Sequence, residues 1–182
     1  EADWEWFSEL GYPSYWLSLD TDTHVRDAVF VREAEQNKSP LSLDIRDDQI
    51  AGVTEITIYT ADHPGLFSSI AGALAVSGAN IVGAKIFTMT NGMALDTFAV
   101  QDTTGSAITQ KQQLDRLRER IEQTLHGQLR PGRELDSKTS IPSRTSVFTV
   151  APRVLVSNSA SRTHSVIEIN GRDRPGLLHD VT

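Results

Sequence analysis

The chain has 182 residues, enough for one ordinary domain or two small ones. Its net charge of −7 argues against a nucleic-acid or anionic-membrane partner, either of which needs a concentrated basic face. The absence of cysteine excludes disulfides and thiolate metal sites. No apolar run approaches the roughly 18 residues of a membrane span. The acidic start Glu1-Ala2-Asp3-Trp4 lacks the pattern of a signal peptide, so a cytoplasmic location is the expectation.

Residues 1–50 hold all three tryptophans, Trp4, Trp6 and Trp16, with Phe7, Tyr12 and Tyr15. Such a cluster normally buries against something. Asp22 to Glu35 has a helical pattern with Val25, Ala28, Val29 and Arg32 along one side, and Leu41, Leu43 and Ile45 then alternate as a strand. This segment reads as the tail of a preceding region and its connector.

From residue 51 the pattern sharpens. Thr54 to Thr60 alternates, with Ile56 and Ile58 facing one way. Pro64 is expected to open a helix, with Asp62 or His63 capping its first amides. Leu66, Ile70, Ala73 and Leu74 form its stripe, and Gly78 suits its end. Asn80 to Met89 is a second strand, Asn91-Gly92 a tight hairpin turn, and Met93 to Gln101 the returning strand. Thr109-Gln110-Lys111-Gln112 is a candidate capping box for a helix carrying Leu114, Leu117, Ile121 and Leu125, ended by Gly127. Its arginines (Arg116, Arg118, Arg120) alternate with Asp115, Glu119 and Glu122, the mark of a solvated face. Residues 128–146 read as a surface loop, and Val147 to Val156 as a final strand whose Pro152 points to an edge or bulge.

The order strand–helix–strand–strand–helix–strand predicts an α+β, ferredoxin-like βαββαβ unit: an antiparallel sheet with both helices on one face. The expected division is 1–50 as connector, 51–157 as a first unit and 158–182 as the start of a second. The second unit is inferred from a repeat. Ile56 to Phe67, containing Asp62-His63-Pro64-Gly65-Leu66, matches Ile167 to Leu178, containing Asp173-Arg174-Pro175-Gly176-Leu177, at a constant spacing of 111 residues. A repeated strand–turn–helix indicates tandem modules. It predicts a second unit cut short at Thr182, in a piece of a longer protein.

The turn has a physical logic. His63 precedes proline and is pushed out of helical geometry. Gly65 lets a ligand approach the backbone closely, and a helix N-terminus offers unpaired N–H groups to a carboxylate. Asn80, expected near the end of the preceding helix, is placed to reach a polar ligand between units. A plain cap and turn explains the same residues equally well. Catalytic machinery is not in evidence: the histidines (His24, His63, His126, His164, His179) have no metal-binding spacing, and no phosphate-cradling glycine loop occurs. His179 and Asp180 are adjacent but on a helix point to different sides. Phe87 and Phe98 are too isolated for an RNA-binding sheet.

With Gly78-Ala79-Asn80-Ile81 entering the second strand, the turn motif resembles the ACT domain, a small-molecule sensing module that often binds amino acids. Tyr15-Trp16-Leu17, Gly52-Val53-Thr54-Glu55, Ala84-Lys85-Ile86-Phe87-Thr88, Ala94-Leu95-Asp96-Thr97 and Asp173 to Leu178 together are similar to the C-terminal part of bacterial PII uridylyltransferase/uridylyl-removing enzymes. That resemblance implies two C-terminal ACT modules sensing glutamine, behind nucleotidyltransferase and HD phosphohydrolase domains that use Mg2+ or Mn2+ and act on the PII signalling protein. It implies no catalytic or metal residue in this segment. Its implied ligand set is Asp62, His63, Pro64, Gly65, Leu66, Asn80 and Ile81, with Asp173, Arg174, Pro175, Gly176 and Leu177. Self-association of such modules, without a ligand, is the alternative role.

Overall fold

The computed structural model describes residues 2–138, 151–171 and 176–182. Three helices, α1 (Ala2–Ser8), α2 (Pro13–Ser18) and α3 (Thr21–Gln36), precede a four-stranded antiparallel sheet. Its strands are β1 (Leu41–Asp48), β2 (Val53–Ala61), β3 (Asn80–Thr88) and β4 (Met93–Gln101), in the order β1-β2-β4-β3. Helix α4 (Leu66–Val76) crosses from β2 to β3, and α5 (Lys111–Leu125) follows β4. The remaining elements are α6 (Pro131–Lys138), the strands β5 (Arg153–Ser157) and β6 (Val166–Asn170), and α7 (Leu177–Val181). No helix among the described residues is long and apolar enough to cross a membrane.

Period-two alternation in β2 and β4 puts Ile56, Ile58, Ala94, Phe98 and Val100 on one face. There they meet Ile70 and Leu74 of α4 and Leu117 and Ile121 of α5. Burial of each such aliphatic or aromatic side chain contributes about 1.5–3 kcal/mol. Both helices therefore lie on one face, and the α+β ferredoxin-like architecture stands. The Asn91-Gly92 turn is also as expected: Gly92 has φ 78° and its amide donates to the Met89 carbonyl at 2.9 Å.

One strand slot is filled differently from the expectation. The edge beside β2 is taken by β1, whose Leu43 and Ile45 pair with Ile58 and Ile56. The described part of the strand expected over 147–156 does not take it, and the described unit runs ββαββα. Residues 147–150 lie outside the described residues. Residues 153–157 instead pair with β6 in a separate hairpin, Val154 with Ile169 and Val156 with Ile167. These four residues lie 111 positions beyond Leu43, Ile58, Ile45 and Ile56, so the second hairpin reproduces the register of the first. A short β1–β2 connection closes at a smaller entropy cost than the return of a strand past α5 and α6.

The opposite face of the sheet carries the amino-terminal helices. Phe7 and Tyr15 pack with Tyr59, Met89 and Leu95 as a second core. The contact is also polar: Tyr59 donates to Glu35 at 2.6 Å, Asn91 donates to the Tyr59 hydroxyl at 2.8 Å, and the Thr90 amide donates to the Leu10 carbonyl at 2.9 Å. Residues 2–36 thus form a layer on this sheet. The inner side of α3 is not the expected one. Of the expected side Ala28 is buried but Val25 and Val29 are exposed, and Asp27, Val31 and Ala34 join Ala28 inside. Asp27 is tolerated inside because Tyr15 donates to its carboxylate at 2.8 Å. Burial pushes the Asp27 carboxyl up, and the same burial beside Asp27 pushes the Tyr15 hydroxyl up.

Candidate functional site

Both glycine turns adopt one backbone solution. Gly65 and Gly176 each have φ 83° and stand as N-caps of α4 and α7. Only glycine takes that conformation without strain, which gives each turn's glycine a structural reason independent of any ligand. Helix α4 starts at Leu66, so Pro64 lies before the helix rather than at its first position. Neither expected cap forms: the Asp62 carboxylate accepts from Thr88 Oγ1 at 2.6 Å, and His63 Nδ1 lies 3.1 Å from the Pro64 carbonyl. The helix-opening role expected of Thr109 is likewise not made, since Gln110 is the N-cap of α5 and no side chain caps it.

The two turns differ in their surroundings. Asp62, His63, Pro64 and Gly65 are exposed, a Cβ at Gly65 would meet no atom of the described residues within 4 Å, and Leu66 is buried in the core. Gly176 and Leu177 instead line a cleft of about 400 Å³ whose other wall is Asn80, Ile81 and Val82 at the start of β3. Its floor is Ala71 and Ala75, one turn apart on α4. Of the candidate ligand set, Asn80, Ile81, Gly176 and Leu177 are therefore brought together, and the first turn is not among them. Asp173, Arg174 and Pro175 lie outside the described residues.

The cleft exists because α7 docks on α4 through equivalent positions. Ser68 and His179, 111 residues apart, hold each other reciprocally: Ser68 Oγ donates to the His179 carbonyl at 3.0 Å, and His179 Nδ1 donates to the Ser68 carbonyl at 2.8 Å. A carbonyl only accepts, so Nδ1 carries the proton in this contact. A residue meeting its own repeat equivalent is the mark of a local two-fold relation between α4 and α7.

Gly72 lets the helices approach. A Cβ there would lie 2.6 Å from Pro131 Cβ and 2.9 Å from His179 Nδ1. Helix α6, in the stretch expected to be loop, thus packs beside α4 and places Leu135 against Gly176, 3.0 Å from where a Cβ would stand. These buttressing residues (Ser68, Gly72, Leu135, His179) were not anticipated. The available signal was Ala71, Gly72 and Ala75 on α4, small residues at the spacing that admits a neighbouring helix. Gly72→Ala is expected to cost about 1–3 kcal/mol by overpacking, against about 1 kcal/mol gained in helix propensity. The check is urea unfolding with hydrogen exchange of α7. A net gain of stability would show that α6 and α7 do not press on Gly72.

No family model matches the chain. It is 53% identical over its whole length to a bifunctional uridylyltransferase/uridylyl-removing enzyme of Gluconobacter oxydans, of which it spans 19%. It is also 53% identical to that of Azospirillum brasilense and 46% identical to that of Rhodospirillum rubrum, spanning 20% of each. The chain therefore corresponds to about a fifth of the length of the curated relatives it matches.

Proposed function

We propose that this segment is a regulatory part of a PII uridylyltransferase/uridylyl-removing enzyme, built of ACT-type units that sense an amino acid, glutamine being the candidate. In this reading the segment is not itself catalytic. It biases distant active sites, with Mg2+ or Mn2+ chemistry, between adding UMP to PII and removing it.

The observation that carries the reading is the cleft in which Gly176 and Leu177 of one unit face Asn80 and Ile81 of the other. A ligand there touches both units. Backbone N–H groups at the glycine turn suit a carboxylate, and the Asn80 amide suits a polar side chain. Occupancy then favours the arrangement in which α4 and α7 are docked, and a ligand shifts an equilibrium only through such differential binding. A coupling of about 1–3 kcal/mol produces a 5–150-fold change.

The test is isothermal titration of the chain with glutamine, in parallel with Asn80→Ala. Saturable heat is expected, with affinity about tenfold weaker in the variant, the value of one lost hydrogen bond. Absence of heat at millimolar glutamine removes the sensing claim.

A second reading, ligand-independent self-association, is favoured by the β5–β6 hairpin. Its Val154, Val156, Ile167 and Ile169 form an exposed apolar face, Val156 being 63% exposed, where the equivalent residues of the first unit are covered by α4 and α5. A mass that rises with concentration in sedimentation supports it; a strict monomer removes it.

A further inference from the structure

The amino-terminal helices cover only part of the sheet face on which they sit. Tyr59, Leu95 and Phe87 lie in one row across β2, β4 and β3, and the aromatic cluster fills the space above them. The next two rows have short central side chains. Thr57 and Thr97 form one, with their hydroxyls 3.2 Å apart, and Ala99 beside Gly83 forms the other. There α3 stands off the sheet and leaves a groove of about 220 Å³. That is smaller than the pockets that hold drug-sized ligands, and fits a metabolite of few heavy atoms.

The walls of the groove carry opposite charges that do not meet. Glu55 enters from β2 and Lys85 from β3, with β4 between them and an offset of two residues along the strands, so their backbones lie about 12 Å apart. Neither side chain has an ion-pair or hydrogen-bond partner among the described residues. Arg26 and Asp27 of α3 form the roof. Arg26 donates to Thr23 Oγ1 at 2.8 Å, and Asp27 uses one oxygen to accept from Tyr15. Arg46, also on the rim, is already paired with Asp44. A singly charged occupant would serve one wall and leave the other unmatched.

We propose that this groove binds a small zwitterion of the size of a free amino acid, with its anionic group at Lys85 and Arg26 and its cationic group at Glu55 and Asp27. The Thr57 and Thr97 hydroxyls supply the polar floor. This site lies on the face of the sheet opposite α4 and is independent of the cleft at Gly176.

Backbone amide shifts of the chain, titrated with L-alanine, acetate or methylammonium, test it. L-Alanine is expected to shift the Thr57, Lys85 and Thr97 amides saturably, and each singly charged probe to bind at least about tenfold more weakly. Gly83→Val should abolish the shifts. Its Cβ meets Ala99 Cβ at an ordinary 3.8 Å, and valine suits a strand, so the branch fills the groove without disturbing the sheet. Lys85→Met, an exposed substitution that keeps the stem, should weaken L-alanine about tenfold. The proposal is overturned if L-alanine moves none of these amides, if acetate binds as tightly as L-alanine, or if Lys85→Met leaves the affinity unchanged. Shifts at Asn80 and Gly176 in the same spectra report the other cleft separately.

Discussion

Asp96→Asn is expected to stabilise the chain above about pH 8 and to leave it nearly unchanged in acid. Asp96 is 1% exposed on β4, between Ala94 and Phe98 on the face that meets α4 and α5. Its neighbours across the sheet are Ile58 and Ile86, and the Phe87 amide donates to it at 3.3 Å. Burial pushes its carboxyl from 3.8 to about 7, the Phe87 hydrogen bond opposes the shift, and nearby Asp62 adds to it. In the window between those two values the folded chain keeps a proton that the unfolded chain has released. Stability therefore falls as pH rises, by about 1.4 kcal/mol per unit, and the advantage of the protonated form is lost through pH 7. Across the window this is on the order of 4 kcal/mol, which asparagine of the same shape avoids. Thermal melts of both proteins at about pH 4 and about pH 8.5 should diverge by roughly 8 °C or more only at the higher value. Parallel pH profiles would mean that Asp96 ionises freely in the folded chain.

The second large effect concerns the aromatic layer. Phe7 is fully buried, edge-on to Tyr15 and Trp16 with ring centroids 6.0 and 5.6 Å away. Phe7→Ala is expected to cost about 3–5 kcal/mol, since the space it leaves is walled by rigid rings and the sheet. The loss should appear first as release of α1–α3 from Tyr59, Met89 and Leu95, read as a red shift of tryptophan fluorescence and faster exchange in α3. The core under α4 and α5 persists to higher denaturant. Leu17→Ala, at a site 86% exposed, is the control and should change neither signal. Unaltered fluorescence in Phe7→Ala would show that the layer is not held through this ring.

Much of the local structure was legible because its causes are local. Alternation in Thr54 to Thr60 committed Ile56 and Ile58 to one face whatever lay above them. Asn91-Gly92 needed only its own backbone freedom to reverse the chain. Helix α3 shows the limit of such reading. Apolar spacing favoured Val25 and Val29, yet the buried side includes the carboxylate of Asp27. That choice was made by Tyr15, a partner on another helix that no helical periodicity contains. Thr124, three residues past Ile121 and seven past Leu117, follows the helical spacing into the core, but its hydroxyl has no hydrogen-bond partner among the described residues.

The candidate site divides along the same line. The duplicated turns, with a glycine at a left-handed position in each, follow from the sequence, since the repeat and the backbone demand of glycine are both contained in it. Which turn would face Asn80 was decided by the docking of α7 on α4 through Ser68 and His179, and by the close approach that Gly72 permits. Tertiary structure likewise decided that β1, rather than a strand after α5, closes the sheet at β2. Main-chain hydrogen bonds accept any strand of suitable direction, so the slot goes to the segment that reaches it at the lower entropy cost.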